Sequence, residues 1–283
     1  MTFPTVLSTV DQVNDWHNES LSPIAAVLTM GALHDGHAQL VTYAKSHSPE
    51  GTRVIATIFV NPTQFNSSTD LERYPRTLEN DLQILAGVGV DAVFVPSILE
   101  IYPDGLSIAS PIDPGPVGEI LEGKVRPGHF LGMLTVVHRL LEITHAKYSF
   151  FGEKDFQQLT LVRAMINELA LPIEIIGVPT VRDEFGLALS SRNRRLSAKG
   201  LISARKIPIA MKLVSDAFKD GIEKIEAEDL GKKYLFENKL ANLDYLEICA
   251  ENLIDIPSAS NGRVFIALNI DGVRLIDNLK VSN

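Results

Sequence analysis

The stretch IAAVLTMGALHDGHAQLVTYAKSH, Ile24 to His47, decides how the rest of the chain is read. Its first seven residues form a near-continuous apolar run, the pattern of a strand covered on both faces. Its last eleven, HAQLVTYAKSH, read as a helix. The polar turn between them holds two histidines, His34 and His37, with Asp35 and Gly36 between the pair. Strand, turn and helix in that order are one half of a βαβ unit.

The same alternation continues to about residue 180. RVIATIFV (53–60), DAVFVPS (91–97), YSFFG (148–152) and IEIIGVP (173–179) are strand-length apolar runs. TLENDLQILAGVG, GMLTVVHRLLEITH and DFQQLTLVRAMINELA, which lie between them, read as helices. This is the signature of an α/β fold with a doubly wound parallel sheet, in which ligands bind beyond the carboxyl ends of the strands. Beyond residue 180 the pattern changes. One helix over SAKGLISARKIPIAMKLVSDAFKDG, capped by Ser197, and a second over about 223–239 precede three alternating segments, NLDYLEICAEN, RVFIALNI and VRLIDNLK. The expected division is residues 1–180 and a smaller α+β domain of 181–283. The Pro- and Gly-rich segment 110–130 is expected to be a loop over the site.

Composition narrows the functional classes. The 283 residues are 45% hydrophobic and 22% charged, an ordinary globular balance. A formal charge of −9 argues against a general nucleic-acid binder. It also means that a site for anions must gather its cations locally. The sequence shows no signal peptide and no apolar run long enough to cross a membrane, so a cytoplasmic enzyme with no membrane partner is expected. Cys249, the one cysteine, fits a reducing compartment and reads as a packed small hydrophobe.

The candidate chemistry sits at strand ends. His34 and His37 open a helix, where backbone N–H groups and the helix dipole favour an anion, and imidazoles can donate to phosphate oxygens. The pair also admits two other readings, mutual capping and half of a zinc site, although no companion ligand offers itself to zinc. In FGEKDFQQL (151–159), Lys154 follows a strand and can reach a phosphate, and Asp155 can cap the helix or accept from ribose hydroxyls. Gln157 and Gln158 open that helix. LALSSRNRRLS (187–197) sets three arginines and three serines in one turn, either a cation cluster for polyphosphate or a solvated basic linker. Asn61 and Gln64, in FVNPTQF, can bind a hydroxyl or carboxylate. In YPRTLENDL, Thr77 reads as an N-cap, and Asp81 either complements the helix dipole or reaches a hydrated Mg²⁺. Arg126 and His129, in RPGHF, are anion-capable. Neither a P-loop nor a dinucleotide fingerprint is present.

Taken together, TMGALHDGH, FVNPTQF, YPRTLENDL, LEGKVRPGHFLGMLTVV, FGEKDFQQL, LALSSRNRRLS and RLIDN resemble, in order, the pantothenate synthetase (pantoate–beta-alanine ligase) family of coenzyme A biosynthesis. The resemblance implies a cytidylyltransferase-like Rossmann domain with a HIGH-type nucleotide site, a C-terminal lid domain and a homodimer. It implies ATP and Mg²⁺, with pantoate activated as pantoyl adenylate and then attacked by beta-alanine to give pantothenate and AMP. Residue by residue, it assigns His34, His37, Lys154 and Arg192 to catalysis. ATP would be held by His34, His37, Gly152, Lys154, Asp155, Ser190, Ser191 and Arg192. Pantoate would lie against Met30, Gln64, Gln158, Val136 and Val137, and Asp81 would be the acid associated with Mg²⁺. Leu28 and Asn80 depart from the family's usual proline and acid at those positions.

Overall fold

The computed structural model describes residues 3–64, 71–72, 74–106 and 110–281. Two compact units result: Met1–Glu153 with Gln158–Pro179, and Lys154–Gln157 with Thr180–Asn283.

The first unit is built on a parallel sheet. Strands β1 (Thr5–Leu7), β2 (Ile24–Thr29), β3 (Arg53–Ile58), β4 (Ala92–Phe94), β5 (Tyr148–Gly152) and β6 (Glu174–Val178) lie in the order β1-β4-β3-β2-β5-β6. Every pairing in this sheet is parallel. The chain moves outward from β2 through β3 to β4, then crosses back to place β5 on the other side of β2. The switch point of the doubly wound sheet therefore lies between β2 and β5. The strand run expected from the opening stretch is the central one: Ile24 to Val27 are all buried.

Helices α1 (Val10–Asn18), α2 (Asp35–His47), α3 (Leu78–Gly87), α4 (Ile98–Ile101), α5 (Leu121–Val125), α6 (His129–Ile143) and α7 (Phe156–Glu168) follow in the chain. On one face, Leu33, Val41 and Ala44 pack with Val27, Ala56, Leu85 and Phe150 into a single core. The burial of each such side chain contributes roughly 1–3 kcal/mol.

Two local expectations are corrected. Segment 110–130, expected as a loop, is about half helical: a 3₁₀ turn at Gly115–Gly118, then α5, then the start of α6. Its prolines at 114, 116 and 127 punctuate short helical pieces rather than prevent them. The helix capped by Ser197 does not run through to Asp220. It breaks into α8 (Ala198–Ala204) and α9 (Ile207–Lys219), with Pro208 in the first turn of the second piece. There the ring's missing N–H costs no intrahelical bond.

The second unit packs α8, α9 and α10 (Lys224–Glu237) with an antiparallel sheet of β7 (Leu243–Ala250), β8 (Gly262–Ile270) and β9 (Val273–Lys280), in that spatial order. Met211, Val214, Leu246, Ile248, Val264 and Ile266 share its core. Cys249 sits in β7, and burial pushes its thiol up to about 11, which suits packing and not nucleophilic attack.

Candidate active site

The turn after β2 is unusual in its backbone. Gly31 has φ +79° and Ala32 φ +51°, so two successive residues take left-handed geometry. A side chain rarely tolerates this at the second position, so something must hold it there. Asp81 does: its Oδ2 accepts from Ala32 N–H at 2.9 Å and its Oδ1 from Leu33 N–H at 2.8 Å. Thr77, at the N-cap of α3, makes no side-chain capping bond to the helix backbone, and its hydroxyl instead donates to Asp81 Oδ1 at 3.0 Å. A Cβ on Gly31 would stand 3.1 Å from Asp81 Oδ2, so glycine also leaves room for the carboxylate.

Asp81 is 1% exposed and accepts from three donors. Among the described residues no group of three His, Cys, Asp or Glu side chains could hold a metal. Asn80, the other departure at this motif, is exposed on α3.

The turn delivers His34 as the N-cap of α2. Gly36 N–H donates to His34 Nδ1 at 3.1 Å, and His34 N–H donates to His37 Nδ1 at 3.3 Å. The capping reading is therefore correct for one nitrogen of each ring. Because both Nδ1 atoms accept, this bond pattern assigns the proton of each neutral ring to Nε2. The rings lie 4.1 Å apart, tilted by 46°. Capping thus occupies one ring nitrogen of each side chain, Nδ1.

Met30 ends the β2 segment half-buried, and Gly152 closes β5, the neighbouring strand. Val136 and Val137 lie on α6 at 4% and 5% exposure. Gln64 ends the 3₁₀ turn Pro62–Gln64, and its carbonyl accepts from Arg126 Nη2 at 2.9 Å and His129 Nδ1 at 3.2 Å. Arg126 and His129, left without a role by the sequence, brace the main chain that presents Gln64. Asn61 is corrected as a ligand-binding residue. Its amide, 1% exposed, donates to the Gly132 carbonyl and accepts from Tyr102 Oη at 2.7 Å and from Thr63. Gly132 must lack a side chain, since a Cβ would meet the Thr63 carbonyl at 2.5 Å. Nothing in the sequence singled out Tyr102, a buried residue whose hydroxyl is pushed up by burial. Gln158 is half-buried on α7, whereas Gln157 is 4% exposed.

The second unit carries the other cations. Lys154 stands in the 3₁₀ turn Glu153–Asp155, its ammonium 3.6 Å from Asp155. Ser190 caps the turn Ser191–Arg195 by accepting from Arg192 N–H at 3.2 Å. Asn193 ties this turn to the Ala188 carbonyl at 3.0 Å, and Leu187 before it is buried in the core of the second unit.

Comparison with known proteins decides the family. The family model for pantoate–beta-alanine ligase matches residues 3–280. The chain belongs to that family. It is 45% identical to the pantothenate synthetase of Cereibacter sphaeroides over 98% of this chain and all of that protein. Against the pantothenate synthetase of Nocardia farcinica it is 44% identical over 92% of this chain and 79% of that one. The crystal structure of pantothenate synthetase from Thermus thermophilus superposes with a TM-score of 0.90 at 38% identity, covering 99% of this chain and 100% of that one. The family's pantoate–beta-alanine ligase from Francisella tularensis, solved with beta-gamma ATP and beta-alanine, gives 0.83 at 36% identity over 99% and 98% of the two chains.

Proposed function

We propose that this chain joins pantoate to beta-alanine with ATP, through pantoyl adenylate, releasing AMP and pyrophosphate. The observation that carries this reading is the full-length family match, joined to two histidines whose Nδ1 atoms are fixed at the end of the central strand. A carboxylate is a poor acyl donor, so a carboxylate oxygen of pantoate first attacks the α-phosphorus, and the bond to the pyrophosphate oxygen breaks. The beta-alanine amine then attacks the acyl carbon, and AMP leaves with the electron pair of the acyl–oxygen bond. No covalent enzyme intermediate is needed, so the protein supplies positioning and electrostatic stabilisation.

In this reading the Nε2–H groups of His34 and His37 donate to phosphate oxygens as charge builds on them. Lys154, Ser190, Ser191 and Arg192 neutralise the β- and γ-phosphates, and Gly152 and Asp155 serve the adenosine. Gln64 and Gln158 hold pantoate, with Met30, Val136 and Val137 against its dimethyl group. Mg²⁺ travels with the nucleotide phosphates, with Asp81 as its associated acid. The second domain acts as a lid, and the enzyme is a homodimer in the cytoplasm, a reducing compartment that the single cysteine fits. Among the described residues no helix is long and apolar enough to cross a membrane. Mass spectrometry of a complete reaction tests the route. Pantothenate, AMP and pyrophosphate in equal amounts are expected, whereas ADP and phosphate would overturn the adenylate step.

A further inference from the structure

The motif RLIDN, Arg274 to Asn278, belongs to the family pattern yet touches none of the roles above. It lies on β9, and its last two residues, Asp277 and Asn278, are both buried. Asn278 Nδ2 donates to the Lys154 carbonyl at 2.9 Å, and its Oδ1 accepts from Arg263 Nη1 at 2.5 Å. The Arg263 guanidinium lies 3.8 Å over the ring of Phe156, two residues after Lys154, and its Nη2 meets Glu251 at 3.1 Å. The Phe156 ring in turn packs beside Phe265, with centroids 6.1 Å apart. The lysine segment is thus held at its carbonyl, by one hydrogen bond, and at its aromatic neighbour, by a buried cation and a ring.

The adjacent residue holds the other cationic turn. Asp277 takes a two-pronged bond from Arg182, at 2.6 and 3.0 Å, and the same guanidinium reaches the carbonyls of Asn278 and Gly186. Arg182 bridges Ala188 at the base of the loop that carries Ser190, Ser191 and Arg192. Burial pushes the Asp277 carboxyl up, while Arg182 and the Asn278 N–H pull it back. A charged pair of this kind is costly to break one-sidedly, which makes it a firm support.

We infer that Asp277 and Asn278 form a common anchor that fixes Lys154 and the Ser190–Arg192 turn as one cationic module, with Asn278 and Arg263 as positioning residues for Lys154. The inference rests on the proposed phosphate role of Lys154. It also accounts for why Lys154–Gln157 group with the C-terminal unit although they directly follow β5 in the chain.

Two variants and a cycle test it. Asn278→Asp keeps the size and the acceptor for Arg263 and replaces the donor to Lys154 with a charged acceptor; Asn278→Ala removes both contacts without adding charge. In full-length protein each should lower kcat of pantoate-dependent ATP–pyrophosphate exchange by about tenfold, with KM for pantoate unchanged. Neither should lower it further in a Lys154→Ala background, because the coupled residues act as a unit. Wild-type exchange in Asn278→Asp, or losses that multiply in the double variant, would overturn the anchor. Amine labelling of Lys154, read by peptide mass spectrometry, separates the two levels of the argument. Faster labelling in Asn278→Asp is expected, and an unchanged rate sinks the anchor. Full exchange in Lys154→Ala with faster labelling would overturn the phosphate role, leaving the anchoring contact intact.

Discussion

The histidine turn and the lysine turn pose the same problem and solve it with different chemistry. Each must hold a cationic or donor side chain at a strand end. The histidine turn uses a carboxylate that accepts from the N–H groups of a left-handed backbone. The lysine turn uses a side-chain amide that donates to a carbonyl, backed by a guanidinium stacked on a ring. The first brace is integral to the fold around it, since Asp81 satisfies buried donors beside the central strand. The second acts on the peptide that carries Lys154, within the second unit. Removing each brace should therefore produce different mixtures of lost stability and lost turnover.

The largest effects should come from the groups the braces present. His37→Ala removes a donor to developing charge and should lower kcat about 100-fold in steady-state ligation, with circular dichroism unchanged. A near-wild-type rate would remove the histidine turn from the comparison. Asp81→Asn should come next. It sets an amide N–H₂ against a backbone donor, costing roughly 2 kcal/mol, and should lower the melting midpoint by about 5 °C in scanning calorimetry. Turnover should fall about tenfold with it. Unchanged stability would show that the left-handed turn holds itself without Asp81. A smaller change is expected at the serine–arginine turn, where ATP should slow amide hydrogen exchange across 187–195 by severalfold. Equal exchange in free and nucleotide-bound protein would break its assignment to polyphosphate. Least of all should come from Cys249→Ala, which should keep kcat within about twofold. With the thiol pushed up to about 11, iodoacetamide should react slowly at pH 8 and faster only as the pH climbs toward that value.

What could be read from the chain divides along the same line. The parallel sheet, the central place of Ile24–Thr29 and the three C-terminal strands follow from local apolar patterning. His34, His37, Lys154 and the serine–arginine turn were visible because each sits in a short motif at a strand or domain end. The braces were not. Asp81 lies 48 and 49 residues from the amides it binds, and Asn278 lies 124 residues from Lys154. Nothing local marks such partners, because a buried Asp in a helix's first turn looks in sequence like any dipole-complementing acid. Tyr102 escaped notice for the same reason: its bond to Asn61 spans 41 residues. The break between α8 and α9 had a local signal in Pro208, outweighed by the apolar period around it.

In the proposed reaction both turns serve one step, the activation of pantoate. Exchange of labelled pyrophosphate into ATP, with and without pantoate and in the absence of beta-alanine, reads that step alone. Exchange should require pantoate and fall by at least about 100-fold in both His37→Ala and Lys154→Ala. Exchange that proceeds without pantoate, or that survives in either variant while ligation is lost, would contradict it.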